Sequence, residues 1–225
     1  MTGAGDVVTE TRDVRGFDAL ALGGIGTAII TQGDGESLLI EAEAAVLPWI
    51  RSEVRDGCLM LGLESGRPAP ARPTRPIRFF VGVRDLRALR LSGAGDAELA
   101  HLATDRLQIT VSGSGRVELG RLAAERLTVA ISGSGKVAVA GEVAAQELTI
   151  SGSGDYLAGR LASASASVTV SGSGRATLRA SDALDVRISG SGTVEYAGMP
   201  RLRQAITGSG RVRQVADTPT SPVGA

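Results

Sequence analysis

Few residues in this chain are equipped for chemistry. Asp96, Glu98, Glu118, Asp155 and Glu195 supply carboxylates in its central and C-terminal parts, His101 is the single histidine and Cys58 the single cysteine. Carboxylates gathered on one face would suit the acid–base work of polysaccharide lyases and hydrolases, where one carboxyl holds its proton beside a charged neighbour. Glu98 and Glu118 are the pair best spaced for it, but Ala138 occupies the next position of the same series. A solvated column therefore explains them more simply. His101 has no triad order around it, and corresponding places in other segments hold Arg121, Gly141 and Arg160, which marks an exposed bend. Cys58 alternates with Met60 in CLML and reads as a packed thiol. No serine lies in a G-x-S-x-G elbow.

Two glycine-rich patterns also fail as sites. GSGK at Gly133 to Lys136 departs from a phosphate loop at both ends, with Ala130 for the required glycine and Val137 for Ser or Thr. A calcium β-roll needs a carboxylate two places after the second glycine. That column here is Ala97, Val117, Val137, Tyr156, Ala176, Val194 and Val212, which cannot coordinate a hard cation. The expected cofactor complement is none, and no metal ligands are assigned.

What must position these residues is a repeat. Ser-Gly-Ser-Gly or a near copy begins at Ser92, Ser112, Ser132, Ser151, Ser171, Ser189 and Thr207, at spacings of 18 to 20 residues. Leu91, Val111, Ile131, Ile150, Val170, Ile188 and Ile206 stand one place before it, and Leu89, Ile109, Val129, Leu148, Val168 and Val186 three before, with Gln204 breaking the rule. Period-two alternation of β-branched residues predicts a strand with one buried face. A second short strand follows the glycine corner, as at Val117 and Leu119, and a looser stretch such as GRLAAE (Gly120 to Glu125) completes the unit. Such a unit cannot bury its own apolar face, and it is too short for crossover helices. Stacked copies solve both problems, so the expected fold is all-β: a right-handed parallel β-helix, or β-solenoid, with turns of about 18–20 residues. Alanines such as Ala97 and Ala176 suit its narrow interior.

Composition agrees. The 225 residues include 31 glycines and only 3% aromatics, so Val, Ile, Leu and Ala must fill the core. Charge is balanced at 24 against 24, which excludes a global field for nucleic acid. The longest nearly apolar stretch, Ala19 to Ile30, is too short to span a bilayer. Ahead of the repeats, Phe17 to Glu43 reads as strand, glycine corner, strand, turn at Gln32 to Gly35 and strand. Arg51 to Glu64 reads as a pair turning at Asp56-Gly57. Val46 to Ile50, with the single Trp49, is expected to plug this irregular end. Arg67, Arg72 and Arg75 lie in a proline-rich loop. The expected organisation is a tail over residues 1–13, one domain over 14–215 (irregular turns 14–85, seven repeats 86–215) and a tail over 216–225.

In combination, GFDALALGGIGTAIITQGD, LPWIRSEVRDGCLMLGLE, DLRALRLSGAGDAEL and the successive SGSG turns resemble the bacterial head GIN domain, a family described as an autotransporter adhesin domain. The resemblance covers residues 14–215. It implies a parallel β-helix at the cell envelope or outside the cell, and it supplies no catalytic residue. The chain shows no basic, apolar leader pattern, and a cytoplasmic location stays open. The function expected is a non-catalytic binding or scaffold domain, with a carbohydrate-active enzyme or a structural spacer as alternatives. Its partner would be an unidentified surface protein or glycan.

The column Ser112, Ser132, Ser151, Ser171 and Ser189 is the candidate ligand ridge. Turn chemistry alone also accounts for it, with each hydroxyl capping backbone groups and bonding to the next serine. Stacking further sets Asp96 near Arg116, and Asp155 between Lys136 and Arg175. At the C-terminal end Gln204, Arg211, Arg213 and Gln214 predict a charged edge that keeps the chain monomeric, with association through this end as the alternative.

Overall fold

A computed structural model describes residues 5–64 and 73–216. Its regular core is built from β9 (Asp96–Gly113), β10 (Arg116–Gly133), β11 (Lys136–Gly152) and β12 (Asp155–Gly172). Each makes one turn, or rung, and pairs in parallel with the next. Val111 lies beside Ile131 and Ile131 beside Ile150, all inward, as the repeat predicts. The solenoid is thus confirmed, but its strands are longer than expected. GRLAAE, read as a loose stretch, remains within β10.

The burial pattern of β10 shows how a strand can turn without ending. Val117 and Leu119 point inward, Gly120 and Arg121 both outward, Leu122 inward, Glu125 and Arg126 both outward, then Leu127, Val129 and Ile131 inward. Each outward pair marks a corner, so the rung has three sides. Between β9 and β10 the rungs bend at the same places, and the backbone ladder keeps its register around these corners. The shorter β11 slips by one residue at the first corner, between Leu119 and Leu122 of β10 and between Ala138 and Ala140 against β12. The third corner is the tetrapeptide. Gly133 has a φ of 109°, and a Cβ there would lie 2.6 Å from the Gly113 carbonyl oxygen. At Gly135 a Cβ would meet Val111 Cγ1 at 2.5 Å and the Gly115 oxygen at 3.0 Å. Only glycine lets the rungs approach this closely.

At the N-terminal end spatial order departs from chain order. β2 (Ala19–Gly24) and β3 (Thr27–Gln32) form a rung against β8 (Ala88–Gly93) and β9. β6 (Cys58–Leu63) and β7 (Arg78–Val83) then return to pair with the far sides of β2 and β3. Beyond them lie two antiparallel additions: β5 (Ile50–Arg55) on β6, and β4 (Ser37–Glu43) on β7. The β5–β6 hairpin turns at Asp56-Gly57, both at positive φ, as its sequence predicts.

Residues 7–12, expected as part of a tail, form β1 (Val7–Arg12), antiparallel to β4. Arg12 explains its attachment. Its guanidinium donates to the carbonyls of Leu47 and Ile50 at 3.1 and 2.6 Å, and to Ser52 Oγ at 2.9 Å. The capping segment is a 3-10 turn, Leu47–Trp49. Val46, Leu47 and Ile50 are buried there, whereas Trp49, expected as the plug, is only partly buried. Glu43 is buried and closes the same end. It accepts hydrogen bonds from the Thr74 and Arg75 amides at 2.7 and 3.3 Å and from Thr74 Oγ1 at 2.6 Å. Arg67 and Arg72, like residues 217–225, lie outside the described residues.

Towards the C-terminus the rungs shorten. β13 (Arg175–Arg179) and β14 (Ala183–Gly190) are joined by three residues, as are β15 (Thr193–Ala197) and β16 (Arg201–Gly208), and β17 (Arg211–Gln214) follows. Cutting off the second side makes a step, and the β12–β13 pairing ends there at Ala158–Leu178, just before Arg179, whose carbonyl is met by side chains. That carbonyl accepts from Ser163 Oγ at 2.7 Å and Gln146 Nε2 at 3.1 Å. Gln146 Nε2 also reaches Ser163 Oγ at 2.8 Å, and its Oε1 accepts the Tyr156 hydroxyl at 2.9 Å. Gln146 stands in an inward column whose other members include Leu107, Leu127 and Leu184. Nothing in the alternation pattern announces it, because its partner is a backbone atom two rungs away. Burial raises the Tyr156 pKa, so its hydroxyl stays a donor.

Two outcomes follow. Gln146→Leu strands the buried Tyr156 hydroxyl and is expected to destabilise by about 2–3 kcal/mol in denaturant unfolding, while adding Tyr156→Phe recovers part of that loss. The hydrogen bonds to Glu43, the Thr74 hydroxyl foremost, hold its pKa below the usual 4.5. A depressed carboxyl stabilises fully above its unfolded pKa and loses that contribution as pH falls through the folded one. Unfolding midpoints should therefore drop below about pH 4.5, and Glu43→Gln should have a shallower acid slope than the native chain.

Candidate functional site

The glycine corners set the serines. Ser92, Ser112, Ser132, Ser151, Ser171, Ser189 and Thr207 pair in unbroken register along the solenoid. Parallel rungs lie about 4.8 Å apart, so this is a ladder of hydroxyls at that spacing. All are exposed. Contrary to the capping role expected from turn chemistry, no hydrogen bond to a protein group engages the hydroxyls of Ser112, Ser132, Ser151, Ser171 or Ser189. The reason is that the backbone already satisfies itself. The amide after each first glycine donates to a glycine carbonyl of the previous rung, as Ser134 does to Gly113 at 2.9 Å and Ser153 to Gly133 at 2.8 Å.

The second serine of each tetrapeptide extends the surface. Ser114, Ser134, Ser153, Ser173 and Ser191 are exposed too, giving a double row. The sequence reading overlooked this second row, although it is as regular as the first. On one flank stand Thr110, Ala130, Thr149 and Thr169, which are in register with one another. On the other stands the column Asp96, Arg116, Lys136, Asp155, Arg175 and Thr193.

The carboxylates do not converge. Glu98 and Glu118 are neighbours on β9 and β10, as their spacing predicts, and Arg116 Nε approaches Glu118 at 3.9 Å. Asp96 accepts the Arg116 backbone amide at 3.0 Å rather than pairing with its guanidinium. Asp155 lies two rungs further along the stack from Glu118, and Glu195 pairs with Arg213. Among the described residues no group of three or more His, Cys, Asp or Glu is disposed to hold a metal ion. His101 is exposed beside Arg121, and Cys58 is partly buried in β6. Arg75, grouped with the loop arginines, is held by its amide to Glu43. The step also leaves an open groove of about 740 Å³, lined by alanines that include Ala123, Ala144, Ala162 and Ala180 and by the exposed Met199. No helix among the described residues is long and apolar enough to cross a membrane.

A family model described as "Putative auto-transporter adhesin, head GIN domain" matches residues 16–200. No curated protein matches the sequence. Among solved structures, a putative adhesin from Bacteroides fragilis is similar with a TM-score of 0.87 at 24% identity, over 93% of this chain and 97% of that one. A putative lipid binding protein from Parabacteroides distasonis gives 0.78 at 24% identity, over 95% and 98%. A putative adhesin from Parabacteroides merdae gives 0.74 at 20%, again over 95% and 98%. These likenesses show the fold.

The charged flank yields a test of how much the ridge depends on its surroundings. Asp155 sits in register between Lys136 and Arg175, yet no ion pair joins it to either. Asp155→Lys is therefore expected to change unfolding free energy by less than about 0.5 kcal/mol, with amide shifts beyond the adjacent rungs unmoved.

Proposed function

The chain belongs to the head GIN domain family, described as an auto-transporter adhesin, and on that premise we propose that it is a non-catalytic binding domain of the bacterial surface or envelope. Its contact surface is the serine ridge, centred on Ser112, Ser132, Ser151, Ser171 and Ser189. The observation that carries this reading is the ladder of exposed hydroxyls with no intramolecular hydrogen bond. A hydroxyl both donates and accepts, so such a row suits an extended ligand that presents alternating donors and acceptors, as a glycan or a peptide backbone does. Rigidity helps as well. The serines ride on glycine corners locked between neighbouring rungs, which lowers the entropy lost on binding. The carboxylates favour this reading over a carbohydrate-active enzyme, because they are spread along the solenoid rather than gathered at one point.

A glycan array probed with the purified domain, followed by titration of the hits, tests the proposal. Changing Ser132→Ala, Ser151→Ala and Ser171→Ala together removes three hydrogen bonds to the ligand, each contributing about 0.5–1 kcal/mol, so affinity should fall by about tenfold or more. The unfolding midpoint should not move, since these hydroxyls bond to nothing within the protein. Undiminished binding by the triple variant would remove the ridge from consideration. Cleavage of a bound glycan would instead establish an enzyme.

A further inference from the structure

The two ends of the solenoid are finished differently. At the N-terminal end antiparallel strands, the Arg12 contacts and the Glu43 hydrogen bonds cover the stack. At the C-terminal end the last described rung is β16 with β17, and each pairs on one side only, with β14 and β15 respectively. Half of their backbone amides and carbonyls thus point along the solenoid axis, where no strand among the described residues pairs with them. Register places Leu202 below Leu184 and Ile206 below Ile188. Leu184 and Ile188 are buried, whereas Leu202 and Ile206 are 37% and 39% exposed. The core is cut open here.

The charge of this edge is one-sided. Arg201, Arg203, Arg211 and Arg213 fall within it, and no Asp or Glu occurs between Gly198 and Ala216. Arg213 is paired with Glu195 on the preceding rung. Arg203 stacks beneath Asp185, but Asp185 is engaged by Arg187 at 3.1 Å. Arg201, Arg203 and Arg211 have no acidic partner among the described residues. A second copy joined through the same edge would set these arginines against their own equivalents, so self-pairing through it is opposed.

We infer that the β16–β17 edge docks an extended acidic segment of another polypeptide as the next parallel strand. Parallel pairing fixes what such a segment presents. Side chains beside Arg201 and Arg203 face outward at about 4.8 Å and would be Asp or Glu, while those beside Leu202 and Ile206 face the open core and would be apolar. The required order is acid, apolar, acid, any, any, apolar. Main-chain hydrogen bonds would supply affinity, and the arginines would choose the partner and its register. This interaction is separate from the serine ridge, which lies on the side of the solenoid.

The test uses the full chain and a fluorescein-labelled peptide, acetyl-Gly-Glu-Leu-Glu-Val-Ala-Ile-Thr-Gly-amide, read by anisotropy. Two controls carry lysine in place of glutamate, or the same residues scrambled so that the acids are adjacent. Binding by the alternating acidic peptide is expected at least tenfold tighter than by either control, weakening with salt. Arg201→Glu with Arg203→Glu, both exposed positions, should reverse the preference to the lysine peptide while circular dichroism stays unchanged. Equal binding of the scrambled peptide would reduce the edge to a non-specific basic patch and overturn the proposal. Failure to bind any peptide at millimolar concentration would overturn it too, as would sedimentation showing that copies of the chain occupy this edge themselves.

Discussion

Everything in this protein depends on the backbone ladder between one rung and the next at the glycine corner. There the chain turns from one side of the rung to the next in four residues, while its amides still donate to glycine carbonyls one rung away. A Cβ at Gly133 or Gly135 would collide with the backbone or a core side chain of preceding rungs. The corner is therefore a constraint on composition before it is anything else. It requires glycine at two places, and it leaves the two between and before them free to be small and polar. The serines occupy positions that the backbone does not need, which is why their hydroxyls remain available.

The same ladder governs how irregularities are absorbed. Where rungs shorten after β12, the second side is lost, the β12–β13 pairing ends at Ala158–Leu178, and the next carbonyl, that of Arg179, accepts from side chains instead. Gln146 and Ser163 donate to that carbonyl and Tyr156 donates to Gln146, all three buried. An unpaired carbonyl in an apolar interior costs more than the modest net gain from any ordinary hydrogen bond. These three polar side chains, set in an apolar part of the core, are thus a response to geometry at one atom. Both the alanine-walled groove and the taper of the solenoid arise from this step.

A ladder must also stop, and stopping exposes an edge. The N-terminal end solves the problem by leaving chain order: β2 and β3 are enclosed by later strands, and β1, β4 and β5 run antiparallel across the outside. The C-terminal end uses charge. Arginines on an open edge oppose indiscriminate strand addition, since a lysine- or arginine-bearing strand is repelled and an apolar one leaves the charges uncompensated. The same residues define the one kind of strand that would be accepted.

The sequence by itself determined the rungs. The spacing of SGSG with β-branched residues one and three places before it specified parallel stacking, the inward columns through Val111, Ile131 and Ile150, and the positions of the serines, because a period imposed on every copy leaves one register in which all apolar residues are buried. It also carried enough of the combined motif to point to the head GIN family. What it could not contain is anything decided between residues far apart in the chain. That Val7–Arg12 is a strand rests on Arg12 meeting carbonyls near residue 50. That β6 and β7 return beyond β2 and β3 rests on which edges were left unpaired. That Gln146 is a core residue rests on a carbonyl exposed by a shortened turn at Arg179. That the serine hydroxyls are free rests on the neighbouring rungs having satisfied the backbone already. Periodicity reports what is repeated, and each of these is a single event in three dimensions.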